Sequence, residues 1–291
     1  TGVQTCALPI FNAAGRMDSA RRALDLLLAE DDDEALRLAQ ELEGVNLKRQ
    51  QLQRRIIQEA MDMVARDVDL DRERVIVLAK EGWHKGVLGI VASRVVETFY
   101  RPAVIACLED GWGTGSARSI EGFHLYEALA HCGDILKEFG GHRLAAGLTV
   151  HQDQVALLRE RMNSYAADHL DAVDMVPSLV IDGDLALSDL NINLVAMIDV
   201  LEPYGEGNRP PVFCSRDVVI KSRPAVLAKE TLKFWVSDGT RTLSVVGFGM
   251  GKYQRDLALG QKVDVAYELG IDDWNKAPVV QLKLKDIRIK K

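Results

Sequence analysis

The chain has 291 residues, enough for about two domains with cores of their own. Apolar residues make up 47% and charged residues 27%, an ordinary globular mix, and the formal charge is −7. A protein coated in basic surface is excluded; a local basic groove is not, because binding depends on where charge sits and not on its sum.

Cys6, Cys107, Cys132 and Cys214 form no Cys-x-x-Cys pair, and His84, His124, His131, His142, His151 and His169 form no His-x-x-x-His pair. That argues against a zinc ribbon or a disulfide scaffold and for a reducing cytosol. No apolar run reaches the ~18 residues of a membrane span, and no signal peptide is legible. A cytoplasmic protein without a membrane partner is expected.

Residues 1–10, Thr-Gly-Val-Gln-Thr-Cys-Ala-Leu-Pro-Ile, read like a sequencing adapter translated in frame and are set aside as a scar, which implies a true start further upstream. In Asn12-Ala13-Ala14-Gly15-Arg16, Arg16 stands just before a helix that Asp18 or Ser19 can cap. Asp31-Asp32-Asp33 opens a much longer helix, since acidic residues suit a helix N-terminus. Leu36, Ala39, Leu42, Val45, Leu52, Ile56, Ala60 and Met63 mark its apolar stripe. The irregular spacing favours a bridge between two bodies over a coiled coil.

From about residue 71 the texture becomes α/β: strands over 74–79, 103–108 and 112–120, a helix from Trp83-His84 to about Tyr100, a helix over 125–131, a strand over 148–150 and a helix over 155–170. Ser116 and Arg118 lie two apart on a strand, hence on one face, and a hydroxyl beside a guanidinium suits a phosphate. Gly140-Gly141-His142 is read as a seat for an anion on its N–H groups and imidazole, with a plain tight turn as the alternative.

Beyond Pro177 a short helix over 191–201 and a turn-rich Pro203–Pro211 precede strands over 212–226, 231–237, 242–248, 262–269 and 278–289, with a short helix over 250–257. Five strands with a helix in that slot indicate an OB-like barrel. Lys221, Arg223, Lys229, Lys233, Arg241, Lys252 and Arg255 gather there with Phe234, Trp235 and Tyr253 interleaved, the pattern of a single-strand groove. Phe234 and Trp235 are adjacent, so at most one of them faces outward.

In this order, Asn12–Arg16, Trp83–Arg94, Gly115–Ser119 and Gly140–His142 resemble the C-terminal half of the RecJ family, single-strand-specific 5′→3′ exonucleases of the DHH phosphoesterase superfamily. The resemblance implies a remnant of a DHH domain over 11–30, a connecting helix over 31–70, an α/β DHHA1 domain over 71–175 and an OB-like domain over 176–291. It implies a two-metal phosphodiester hydrolysis, with Mn²⁺ or Mg²⁺ held by a DHH domain this sequence lacks, so that the chain itself binds no metal and has no nuclease activity. It assigns Ser116 and Arg118 to the 5′-phosphate, Gly140, Gly141 and His142 to the terminal nucleotide, and Arg16 to substrate phosphates. Trp83 and His84 are further DNA-facing candidates, with a core tryptophan as the alternative. In the barrel, Lys221, Arg223, Lys233, Trp235 and Arg241 are expected to hold the strand. Implied partners are single-stranded DNA, a single-strand-binding protein and a helicase, for a monomer in DNA repair and recombination. Two other readings stay open: a binding module without catalysis, and a DHH/DHHA1 phosphodiesterase of short oligonucleotides or cyclic dinucleotides.

Overall fold

A computed structural model describes residues 2–205, 207–272 and 278–290, with the side chains of 2–7 and of Lys229 outside the described set. The chain divides into two compact units, Thr1–Pro177 and Ser178–Lys291.

The first unit begins with helices α1 (Gly2–Met17), α2 (Arg21–Leu28) and α3 (Asp32–Asp67). The stretch read as a scar is helical in its backbone, and Ile10 and Phe11 pack on Ala14, Ala23 and Leu42. The Ser19 hydroxyl accepts from the Arg21 N–H, and the Asp31 carboxylate caps α3 by accepting from the Asp33 N–H at 2.8 Å. With 36 residues α3 runs about 54 Å. Leu42 lies in the cluster with α1 and α2, while Ile56, Ala60 and Val64 lie in the core that the helix Leu88–Phe99 forms with one face of the sheet.

Strand β1 (Ile76–Glu81) leads through a single 3-10 turn (Lys85–Val87) into α4 (Leu88–Phe99), then β2 (Ala103–Glu109) and β3 (Trp112–Arg118). Helix α5 (Leu125–His131), β4 (Leu136–Gly141), β5 (Ala145–His151) and α6 (Val155–His169) complete the unit. The sheet order is β1-β2-β3-β5-β4, with β1–β2 parallel and the other pairs antiparallel. Val104, Ala117, Ala146, Leu148 and Val150 point into a core with α5 and α6; Ala103, Ile105 and Cys107 point to the other face, against α3 and α4. The glycine pair, for which a tight turn is the alternative reading, is the end of an edge strand.

The second unit holds β6 (Gly183–Asp184), α7 (Ile192–Asp199), β7 (Phe213–Ile220), β8 (Ala225–Leu227), β9 (Thr231–Ser237), β10 (Thr242–Gly247), a 3-10 segment (Gly251–Asp256), β11 (Lys262–Asp272) and β12 (Val279–Ile289). The ring β7-β9-β10-β12-β11 closes back on β7, so these five strands leave no free edge between them. The helix expected between the third and fourth of them is the 3-10 segment. Phe234, Val245, Tyr267 and Leu282 fill the barrel. Burial pushes the Tyr267 hydroxyl up to about 12, and it shares a 2.7 Å hydrogen bond with Ser215.

Candidate nucleic-acid interface

Side chains alternate along β3, so Trp112, Thr114, Ser116 and Arg118 share one face. Cross-strand register extends that face: Ser116 opposes Gly147, Gly147 opposes Gly140, and Arg118 opposes Ala145. The two motifs that were far apart in sequence thus lie in neighbouring rows of one sheet. Gly147 and Gly140 are exposed and put no side chain above the sheet, which leaves a shallow depression of about 350 Å³ bordered by Thr114, Glu138 and Thr149. Gly141 needs to be glycine: its φ is +146°, and a β-carbon there would stand 2.4 Å from the Ala145 carbonyl oxygen. The His142 N–H donates to that carbonyl at 2.8 Å, and its exposed imidazole has no partner among the described residues. The hairpin is pinned to the exit of β3, where Ser119 N–H donates to Leu144 O at 2.9 Å.

Arg118 is half-buried. Its Nη1 donates to the Ser116 hydroxyl at 3.1 Å and to the Ala117 carbonyl at 2.8 Å, and its Nη2 faces Gly89 at the start of α4. No carboxylate pairs with it among the described residues. Arg16, at the end of α1, lies close enough that its charge, second to burial, holds the Arg118 pKa below its usual value. Arg49 on α3 is depressed in the same way, by burial first and then by Arg16. Its guanidinium is aimed by Asn46 Oδ1 at 2.9 Å and Gln53 Oε1 at 2.7 Å, both neutral. Arg16 thus repels both Arg49 and Arg118, and among the described residues no acid pairs with any of the three; such a cluster, with the Ser116 hydroxyl on Arg118, makes a seat for an anion, and fork-shaped donors match phosphate in particular. The sequence reading missed Arg49, because on a long charged helix nothing local distinguishes it from its neighbours.

Gly86 is what lets Arg16 approach: its β-carbon would overlap the Arg16 backbone carbonyl, whose residue also donates from Nη1 to Gly86 O at 3.4 Å. His84 caps the turn, its Nδ1 accepting from the Gly86 N–H at 3.1 Å. Trp83 is a correction. It is 4% exposed, packs in the core with α3 and α4, and donates its indole N–H to Glu59 at 2.9 Å, so no base can stack on it.

In the barrel, Phe234 is buried and Trp235 is 43% exposed, which settles which of the pair points outward. Lys233 shares Trp235's outer face on β9, and register brings Ser244 opposite Trp235 and Gln281 opposite Ser244. Lys221 and Arg223 lie in the segment between β7 and β8; the Lys221 N–H donates to the Trp235 carbonyl at 2.7 Å. Arg241 stands apart. Its Nη1 is engaged with the Leu190 carbonyl, holding the segment before α7, and does not join the row of Lys233 and Trp235.

Comparison with known proteins agrees with this layout. Residues 72–168 match the DHHA1 domain family, and residues 181–286 match the RecJ OB domain family. The single-stranded-DNA-specific exonuclease RecJ of Bacillus subtilis is 37% identical over 97% of this chain, which spans 36% of that protein. The Thermus thermophilus RecJ is 32% identical over 96% of this chain, which spans 39% of it. A crystal structure of the Thermus protein in complex with Mn²⁺ superposes with a TM-score of 0.82 at 30% identity, covering 97% of this chain and 40% of that one. The chain therefore spans well under two thirds of the length of these relatives.

Proposed function

We propose that this chain, which joins a DHHA1 domain to a RecJ OB domain, binds single-stranded DNA by its 5′-phosphorylated end as part of a 5′→3′ exonuclease of DNA repair and recombination. The observation that carries the reading is Arg16 lying close to both Arg49 and Arg118, with Arg118 on the Ser116 hydroxyl at the edge of a glycine floor and, among the described residues, no acid paired with any of the three. A terminal phosphate carries more charge than an internal diester, so such a seat favours an end over the middle of a strand. Gly141 and His142 border the seat where the first nucleotide would lie. The outer face of the barrel, with Lys233 and Trp235, is a separate contact for single-stranded DNA by charge and stacking.

Among the described residues no three His, Cys, Asp or Glu side chains converge as a metal's ligands would. The steps we assign to this chain are capture of the strand and placement of its end. The described helices include none long and apolar enough to cross a membrane.

The test compares 5′-phosphorylated and 5′-hydroxyl oligothymidylate. Wild type is expected to prefer the phosphorylated end by about tenfold, the worth of one charge-assisted contact, and Arg118→Ala to abolish that preference. Equal losses on both ends would reduce Arg118 to a general electrostatic contact.

A further inference from the structure

The face of β3 that carries Arg118 at one end carries Trp112 at the other. Trp112 is 38% exposed on a strand whose remaining outward residues are small or polar. Two side chains dress its ring. The Lys137 ammonium sits 4.9 Å from the ring centroid, and His151, directly opposite in β5, meets it edge-on at 5.1 Å and 87°. His151 is held in turn by Asp153, whose N–H donates to Nδ1 at 3.4 Å and whose carboxylate lies at the same distance.

Between these ends lies the glycine-floored depression, and its chemistry is not that of a phosphate track. Glu138 stands over it, accepting from the Thr149 hydroxyl at 3.0 Å. A carboxylate there repels phosphate but accepts from the N–H groups of bases. Cations stand at the two ends of the face, Arg118 and its partners at one and Lys137 at the other. A strand laid along this face would thus set its phosphates at the ends and its base edges in the middle.

We infer that Trp112 and Lys137 form a base-stacking subsite for a single-stranded nucleic acid whose 5′-phosphate sits on Arg118; this rests on the reading of Arg118 given above. The base stacks on the indole, and the displaced ammonium pairs with that nucleotide's phosphate. Six residue steps from Trp112 to Arg118 cover about 20 Å. That spans at most about six nucleotides at the stacked spacing of 3.4 Å, and fewer if the strand is extended. The subsite therefore belongs to an interior nucleotide, beyond the reach of a dinucleotide.

The experiment uses the full chain and 5′-phosphorylated oligothymidylates. Trp112→Ala is expected to weaken binding of a decanucleotide about tenfold, within the range for loss of one base–aromatic stack, and to leave a dinucleotide unaffected. Trp112→Phe is expected to restore most of the loss, which separates stacking from any disturbance of the strand. A 5-iodouracil placed at successive positions from the 5′ end is expected to cross-link to Trp112 from one interior position only. If Trp112→Ala binds both lengths like wild type and no position cross-links, while Arg118→Ala still loses the 5′-phosphate preference, the stacking subsite is refuted and the phosphate seat stands. If wild type shows no 5′-phosphate preference, the seat fails and the subsite with it.

Discussion

Gly89 lies directly against the Arg118 guanidinium: a β-carbon on Gly89 would stand 2.8 Å from Nη2 and 3.2 Å from the Ser116 hydroxyl. The start of α4 is thus cut away at the one place where the anion seat needs room. Gly89→Ala should push the tip of Arg118 aside without disturbing backbone, because the clash falls on the far end of a flexible side chain. The expected result is about a tenfold loss of 5′-phosphate preference with a melting temperature close to wild type. A large fall in melting temperature would show that Gly89 serves the packing of α4 instead.

Arg49 is expected to act with Arg118 although nothing in its local sequence marks it. Arg49→Gln keeps a polar, helix-compatible side chain and removes the charge. It should weaken 5′-phosphorylated oligonucleotide roughly fivefold and lower the salt dependence by about one charge. Because it also relieves repulsion, it should leave stability unchanged or slightly higher in the absence of ligand. Thermal melts with and without inorganic phosphate make this visible: phosphate should raise the wild-type midpoint more than that of the variant.

The adjacent pair in β9 offers a clean contrast. Phe234→Ala opens a hole in the barrel and should cost about 3–5 kcal/mol of stability. Trp235→Ala should leave the fold intact and weaken single-stranded DNA by about 1–3 kcal/mol. Denaturant titrations and fluorescence anisotropy on the same two variants decide the matter; an unchanged affinity in Trp235→Ala would move the binding face elsewhere on the barrel.

Asp238 supplies a pH test. Burial pushes its carboxyl up, but the Thr240 hydroxyl and the N–H groups of Arg241, Thr240 and Leu187 outweigh that and hold it at about 2. An unfolded aspartate titrates near ~3.9. The stability it contributes is therefore fully present above ~3.9 and is lost as pH falls through about 2. Asp238→Ala should be less stable than wild type at neutral pH by about 1 kcal/mol, a modest figure for an exposed carboxylate. The two should converge in urea titrations as the pH approaches 2.

Gly141→Ala should be costly for a reason unrelated to binding. Its left-handed-side φ and the 2.4 Å approach to a backbone oxygen cannot be relieved by a side chain turning away. A loss above about 1 kcal/mol is expected from unfolding curves, together with faster amide exchange at His142, whose N–H closes the hairpin onto Ala145.

These sites differ in how legible they were. Helix α3 could be read from Asp31 and a stripe of apolar residues, and the barrel from strand spacing, because local chemistry decides both. Ser116 and Arg118 were legible because two residues on one strand share a face whatever surrounds them. Strand β4 was not: Leu136–Gly141 has no alternation, ends in two glycines, and shifts register between Leu136 and Glu138. Only pairing with β5 makes it a strand. Trp83 shows the limit from the other side, since a buried indole with a carboxylate partner and one with a nucleobase look alike in sequence.

That irregular β4 has a further effect. As the outer rim of the five-stranded sheet it is a surface on which a second copy of the chain could add a strand and start a fibre. Its shifted register, its exposed Lys137 and Glu138 and its glycine end make it a poor template for such growth. The features that keep the floor of the groove open for a ligand also keep the sheet from recruiting its own kind.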